Sequence, residues 1–236
     1  MTASRAELAA LRAVAARLGP LRQDVMFVGG MIRGLLISDA AAPAGRPTDD
    51  IDVVAEVDSR AQYYALSERL RALGFREDQR EGAPLCRWLI DGLTVDVMPD
   101  GANVLGFSNR WYRSASKTAT WQAIGPLPDD RIRVVDAPHF VATKLTSFRD
   151  RGGGDFYHHD MEDIVAVIDG RAELLAELDA SPDAVRAYVA TELDVLLTDE
   201  HFVEAVAGHL PGDTASQARH PLLVDRIRSL ASSGRA

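Results

Sequence analysis

The chain changes its hydrophobic rhythm part-way along. Residues 5–18 place Leu8, Leu11, Val14, Ala15 and Leu18 at helical spacing, which predicts an opening amphipathic helix. Val25–Val28 is a short apolar run of the kind that makes a buried strand, Gly29-Gly30 reads as a sharp turn, and Met31–Ile37 as a helix. A loop over 40–47 leads to a second strand, Ile51–Ala55, and a helix over 60–73 ends at Gly74. Two further apolar runs, Leu85–Ile90 and Leu93–Met98, flank Asp91-Gly92, the signature of a hairpin closed by a type I′ turn.

From about Ala137 the period is helical throughout, with helices expected over 138–149, 159–168, 171–179, 182–197, 199–208 and 221–231. The expectation is an α+β protein with a short mixed sheet: an α/β catalytic region over 1–135 and a helical region over 136–236.

Composition narrows the classes. At 236 residues and 47% hydrophobic, the chain can bury a core. It contains no apolar run long enough for a membrane span or signal peptide, so a cytoplasmic protein with no membrane partner is expected. The single cysteine, Cys86, excludes an internal disulfide framework and a multi-cysteine zinc site. A net charge of −9 argues against non-specific wrapping of nucleic acid, which depends on neutralising phosphates, but leaves room for a local basic channel. Only Lys117 and Lys144 are lysines among 26 basic residues, so each is a candidate for a place where a compact ammonium is required.

The candidate chemistry lies in three apolar settings: FVGG at 27–30, TDDIDVV at 48–54 and LTVDVMP at 93–99. Side chains alternate faces along a strand, so Asp50 and Asp52 share one face while Ile51 and Val53 take the other and Asp49 lies opposite the pair. Asp96 sits likewise between Val95 and Val97, and if its strand neighbours Ile51–Ala55 the three carboxylates converge. Unpaired, they would repel. A hard divalent cation such as Mg²⁺ resolves the repulsion, and two such ions can clamp the attacking and leaving oxygens of an in-line phosphoryl displacement. The diglycine after a strand would present backbone N–H groups at a helix start to a triphosphate. The run GGMIRGLL lacks the Lys-Ser/Thr of a Walker A loop and is not G-x-G-x-x-G.

Two other stretches carry weaker signals. His158-His159 before Asp160 suggests a metal cluster, but no second histidine motif accompanies it, and helix-start residues are the plainer reading. Arg110, Trp111, Tyr112, Arg113, Lys117 and Trp121 interleave cations and aromatics with no acid over 108–120, which suits stacking and phosphate contacts with single-stranded RNA, or an ordinary exposed loop.

Hydrophobic-Gly-Gly, a helix, T-x-D-I-D and a later strand aspartate resemble the nucleotidyltransferase superfamily with the polymerase-β-like fold. The stretch FVATKLTSFRDRGGGDFYHHDMEDIVAVI resembles the AbiEii-like abortive-infection nucleotidyltransferases (type IV toxins), in which a K-x4-R helix precedes a helix opened by aspartates. The resemblance covers about residues 25–170. It implies that Asp50, Asp52 and Asp96 ligate Mg²⁺, two ions being expected, and that Gly29 and Gly30 form the nucleotide-phosphate turn. Lys144 and Arg149 would hold the triphosphate, and Asp160, with Asp163 as the alternative, would be the later catalytic aspartate. NTP is then the substrate, RNA (a tRNA 3′ end included) the implied acceptor, and a cognate antitoxin the implied protein partner in a toxin–antitoxin or phage-defence setting. Two rivals stand beside this: nucleotidylation of a small molecule, such as an antibiotic, or of a protein hydroxyl, and a non-catalytic nucleotide- or partner-binding module, whose mark would be a damaged aspartate set.

Overall fold

The computed structural model describes residues 2–43 and 45–235, with the main chain alone at Arg235. The first part of the chain forms α1 (Arg5–Leu18), β1 (Val25–Val28), α2 (Arg33–Leu36), β2 (Asp50–Ala55), α3 (Arg60–Ala72), β3 (Arg76–Glu77), β4 (Arg87–Ile90) and β5 (Leu93–Pro99). There follow α4 (Ala102–Leu105), α5 (Tyr112–Thr118), β6 (Thr120–Ala123) and β7 (Arg131–Val134). The remainder is α6 (Ala137–Arg151), α7 (His159–Gly170), α8 (Leu174–Asp179), α9 (Asp183–Leu197), α10 (Glu200–Gly208), α11 (Thr214–Gln217) and α12 (His220–Ser232). No helix among the described residues is long and apolar enough to cross a membrane.

These elements fall into two compact units: a sheet unit of residues 3–32 and 46–136, and a helical unit that takes in the described residues of 2, 33–43, 45 and 137–235. In the sheet unit seven strands run in the order β3-β4-β5-β2-β1-β7-β6, with β2–β5 and β1–β7 parallel and the other pairs antiparallel. The central strands supply the core, with Phe27, Val53 and Val95 fully buried. Both long helices of this unit open with reciprocal capping boxes, Ser4 with Glu7 and Ser59 with Gln62, which satisfy N–H groups that have no partner within the helix. The Tyr63 hydroxyl donates to the carbonyl of Val97 at 3.0 Å, tying α3 to β5. Asp91 and Gly92 both take positive φ, 49° and 81°, which is the type I′ geometry expected of that dipeptide.

Three strands were not anticipated. β3 has two exposed residues, β6 is almost wholly exposed, and β7 alternates only Ile132 and Val134 with arginines, so none carries a local apolar signal of useful length. The helix expected over Met31–Ile37 is instead a three-residue 3₁₀ turn at Gly30–Ile32 followed by the single turn of α2. A helix this short sums few peptide dipoles, so the macrodipole part of the phosphate-binding expectation is much reduced. In the helical unit α6, α7, α9 and α12 bury Phe140, Leu145, Met161, Ile164, Val189, Leu193, Leu223 and Ile227.

Candidate active site

Strand pairing sets the site. Asp52 on β2 lies directly beside Asp96 on β5, Asp96 faces Arg87 on β4, and Asp52 faces Val28 at the end of β1. Directly paired residues project to the same face of a sheet, so Arg87, Asp96 and Asp52 form one row across three strands, with Asp50 two residues along β2 on that face. The condition set by the sequence, that the Asp96 strand neighbour Ile51–Ala55, is met, and the three aspartates share a face. Asp49 precedes β2 and is exposed.

Gly29 closes the row at the end of β1. Its φ of +75° is one that a residue with a side chain rarely adopts, and a Cβ there would come within 1.9 Å of Asp52 Oδ2. The first glycine is therefore required by the close approach of the second aspartate of D-x-D. Gly30 is buried and opens the 3₁₀ turn.

Sequence reading missed Arg87. Its Nε donates to Asp96 Oδ1 at 2.8 Å and its Nη2 to Asp96 Oδ2 at 2.7 Å, and Nη2 reaches Asp50 Oδ2 at 3.4 Å. Hydrogen bonding to Asp96, with the charges of Asp96 and Asp50 added, raises the guanidinium pKa further above its already high value against the opposing effect of desolvation. A signal for it was present: with Asp91-Gly92 as a two-residue turn, Ile90 must face Leu93, and counting outward puts Arg87 opposite Asp96. The fork relieves part of the repulsion expected among the carboxylates. As a donor set, three carboxylates with hard oxygens on one face, half-open at Asp50 and Asp52 and nearly closed at Asp96, still fit Mg²⁺.

The other sequence candidates assemble elsewhere. Lys144 on α6 is only 7% exposed; its Nζ donates to Asp160 Oδ1 at 2.9 Å and lies 2.7 Å from Asp163 Oδ2. Arg33 pairs with the other oxygen of Asp163, and Arg151 forks onto Asp160 with Nε at 2.8 Å and Nη2 at 2.9 Å. Burial pushes the Asp160 carboxyl up, but the hydrogen bonds and charges of Arg151 and Lys144 outweigh it and leave the pKa at about 2. Desolvation works against the Lys144 ammonium, and Asp163 and Asp160 together raise it above its ordinary value. Asp160 and Asp163 therefore hold the same cation. Arg149 points elsewhere and pairs with Glu192 on α9 at 2.5 Å, because five positions turn a helix by about 140°. Lys144 and Arg149 thus engage different partners.

His158, His159 and Asp160 are the one group of three potential ligand residues among the described residues whose ligand atoms lie within 4.8 Å of one another. Both oxygens of Asp160 already accept from Lys144 and Arg151, and His158 Nδ1 accepts from the Asp160 backbone N–H at 3.2 Å. A carboxylate saturated by two cations does not fit a metal ion, so the helix-start reading holds. The basic-aromatic stretch is corrected too. Trp111 and Tyr112 are core residues at 4% and 9% exposure, and Arg113 is engaged by Asp100 and Asp58, leaving Trp121 as the open aromatic of the set.

No protein-family model matches the sequence, and no curated protein matches it. Among solved structures, the chain is similar to an antigenic nucleotidyltransferase-like protein from Paracoccidioides brasiliensis: TM-score 0.50 and 19% identity, over 90% of this chain and 97% of that one. The chain shares its fold with that nucleotidyltransferase-like protein. The antibiotic-resistance factor ANT(2'')-Ia is similar at TM-score 0.43 and 15% identity, over 71% of this chain and 84% of that one.

Proposed function

We propose that this chain transfers a nucleoside monophosphate from an NTP to a hydroxyl acceptor in a divalent-metal-dependent reaction. The observation that carries the reading is the in-register pair Asp52–Asp96 with Asp50 on the same face and Gly29 closed against Asp52. Asp50, Asp52 and Asp96 would hold Mg²⁺, two ions being the expectation. When bound, the ions neutralise the phosphates and the developing charge. The Gly29-Gly30 turn, beside Asp52, is the place for the phosphate chain, and one carboxylate of the row takes the proton of the acceptor hydroxyl. The acceptor oxygen bonds to the α-phosphorus as the α–β bridge breaks, and pyrophosphate leaves. Lys144 and Asp160 enter this reading as positioning residues, since each is held by the other inside the helical unit.

RNA as acceptor, with a tRNA 3′ end as the site, and a cognate antitoxin in a toxin–antitoxin or phage-defence pair, are supported by the resemblance of residues 140–168. A second reading, a small-molecule or protein hydroxyl as acceptor, is favoured by the burial of Trp111 and Tyr112, which removes the stacking surface expected for single-stranded RNA, and by the net charge of −9. A non-catalytic module would be marked by loss of an aspartate, and all three are present. Incubation with Mg²⁺ and each NTP labelled at the α-phosphate, offering total RNA, a panel of hydroxyl-bearing antibiotics and protein, tests the proposal. Label should appear on one acceptor class and fall by on the order of 10³-fold in Asp50→Ala, Asp52→Ala, the loss of about 4 kcal/mol of transition-state stabilisation. NTP binding with no label on any acceptor sinks the transferase reading.

A further inference from the structure

Arg87 stands at the start of β4, and its planar fork takes both oxygens of Asp96 while the same Nη2 reaches Asp50. A bidentate guanidinium uses the lone pairs that a hard cation would need, so a divalent ion and this fork cannot both hold Asp96 in full. The side chain is not sealed in place: it is 25% exposed and Asp50 is 41% exposed. Arg87 also borders a cavity of about 430 Å³ lined by Tyr63, Tyr64, Glu77 and Asp78 among others. The Asp78 backbone N–H donates to the Arg87 carbonyl at 3.0 Å, which keeps this acid beside Arg87. Asp78 is held by the fork of Arg80 with its own side chain 1% exposed, whereas Glu77 pairs with Arg71 with both side chains about 40% exposed, an open pair of the kind that exchanges readily.

We propose that Arg87 is a displaceable counter-ion that competes with the divalent cation for Asp96 and Asp50, so that metal binding requires this side chain to swing into the neighbouring cavity, where Glu77 is the open acid. In the absence of the cation it offsets part of the negative charge of the aspartate row; in its presence it gives up the Asp96 oxygens. The inference rests on the metal site of the proposed function and adds a residue that sets how much cation that site requires.

The test uses Mn²⁺ as probe, the free ion being counted by its electron paramagnetic resonance signal as it is titrated into the full chain. Arg87→Met should bind Mn²⁺ about tenfold more tightly than the wild type, equivalent to about 1.4 kcal/mol. Arg87→Lys, which keeps the charge but cannot fork, should fall between the two and serves where the methionine variant does not fold. Affinity unchanged or weakened in a folded Arg87 variant overturns the counter-ion. Asp96→Asn separates the two layers of inference: it should abolish high-affinity Mn²⁺ binding, and binding that persists there overturns the metal site itself. Binding lost in Asp96→Asn with no tightening in the Arg87 variants overturns the counter-ion alone.

Discussion

In the helical unit Asp160 and Asp163 are both fully buried and are matched by three cations, Lys144, Arg33 and Arg151. In the sheet unit Asp50, Asp52 and Asp96 share a face, and the fork of Arg87 serves two of them, with Asp50 open to solvent. Both regions concentrate acids, yet their charge accounting differs. A buried cluster with complete pairing can hold elements together but has nothing to offer a ligand; removing a member strands a charge in a low dielectric. An open row with an excess of carboxylates is unfinished in charge, which is the condition for recruiting a cation. Clustered acids thus indicate chemistry only when their pairing and exposure are known.

The comparison breaks most sharply at Lys144. Lys144→Met should destabilise the protein by about 3–5 kcal/mol, measured by urea denaturation, because Asp160 and Asp163 would lose their shared buried cation. Unchanged stability with a raised KM for NTP would instead return Lys144 to the triphosphate-gripping role. Next comes Gly29→Ala in the sheet unit. The added Cβ meets Asp52 Oδ2, so nucleotidyl transfer should fall by about 10²-fold, close to 3 kcal/mol, while circular dichroism keeps the native signature. Activity at the wild-type level would show that the approach of Gly29 to Asp52 is not needed.

The smallest effect is the most specific. The unfolded chain holds the Asp160 proton with a pKa of 3.8 and the folded chain with about 2, so the unfolded state binds more protons as acid is added. The resulting stabilisation, about 2 kcal/mol, is present above pH 3.8 and is lost as the pH falls towards 2. Urea midpoints measured across that window should slope less steeply in Asp160→Asn than in the wild type. Equal slopes would remove Asp160 from the buried lock.

Much of the site was legible because it is local. The alternation of T-D-D-I-D-V-V fixes Asp50 and Asp52 on one face, and the type I′ preference of Asp-Gly fixes the hairpin and with it the register of Arg87 against Asp96, whether or not that register is read. Helices α6 to α10 and α12 follow from their period alone, whereas the single turn of α11 was not expected. Strands β3, β6 and β7 were illegible because a strand of two to four residues with one or two buried side chains leaves no pattern to count. The aromatics at 111 and 112 were misplaced for a related reason: composition cannot tell a stacking surface from a core filled by the same rings.

What the sequence by itself determined is therefore each element's own face: which residues of a strand or helix lie together. What only the tertiary structure decided is which faces meet. The parallel pairing that sets Asp52 beside Asp96 joins segments more than forty residues apart, and the choice of Lys144 rather than Arg149 as the partner of Asp160 and Asp163 depends on which side of α6 faces α7. Such pairings are selected by the burial of whole apolar surfaces, a property of the assembled core that no short stretch of chain contains.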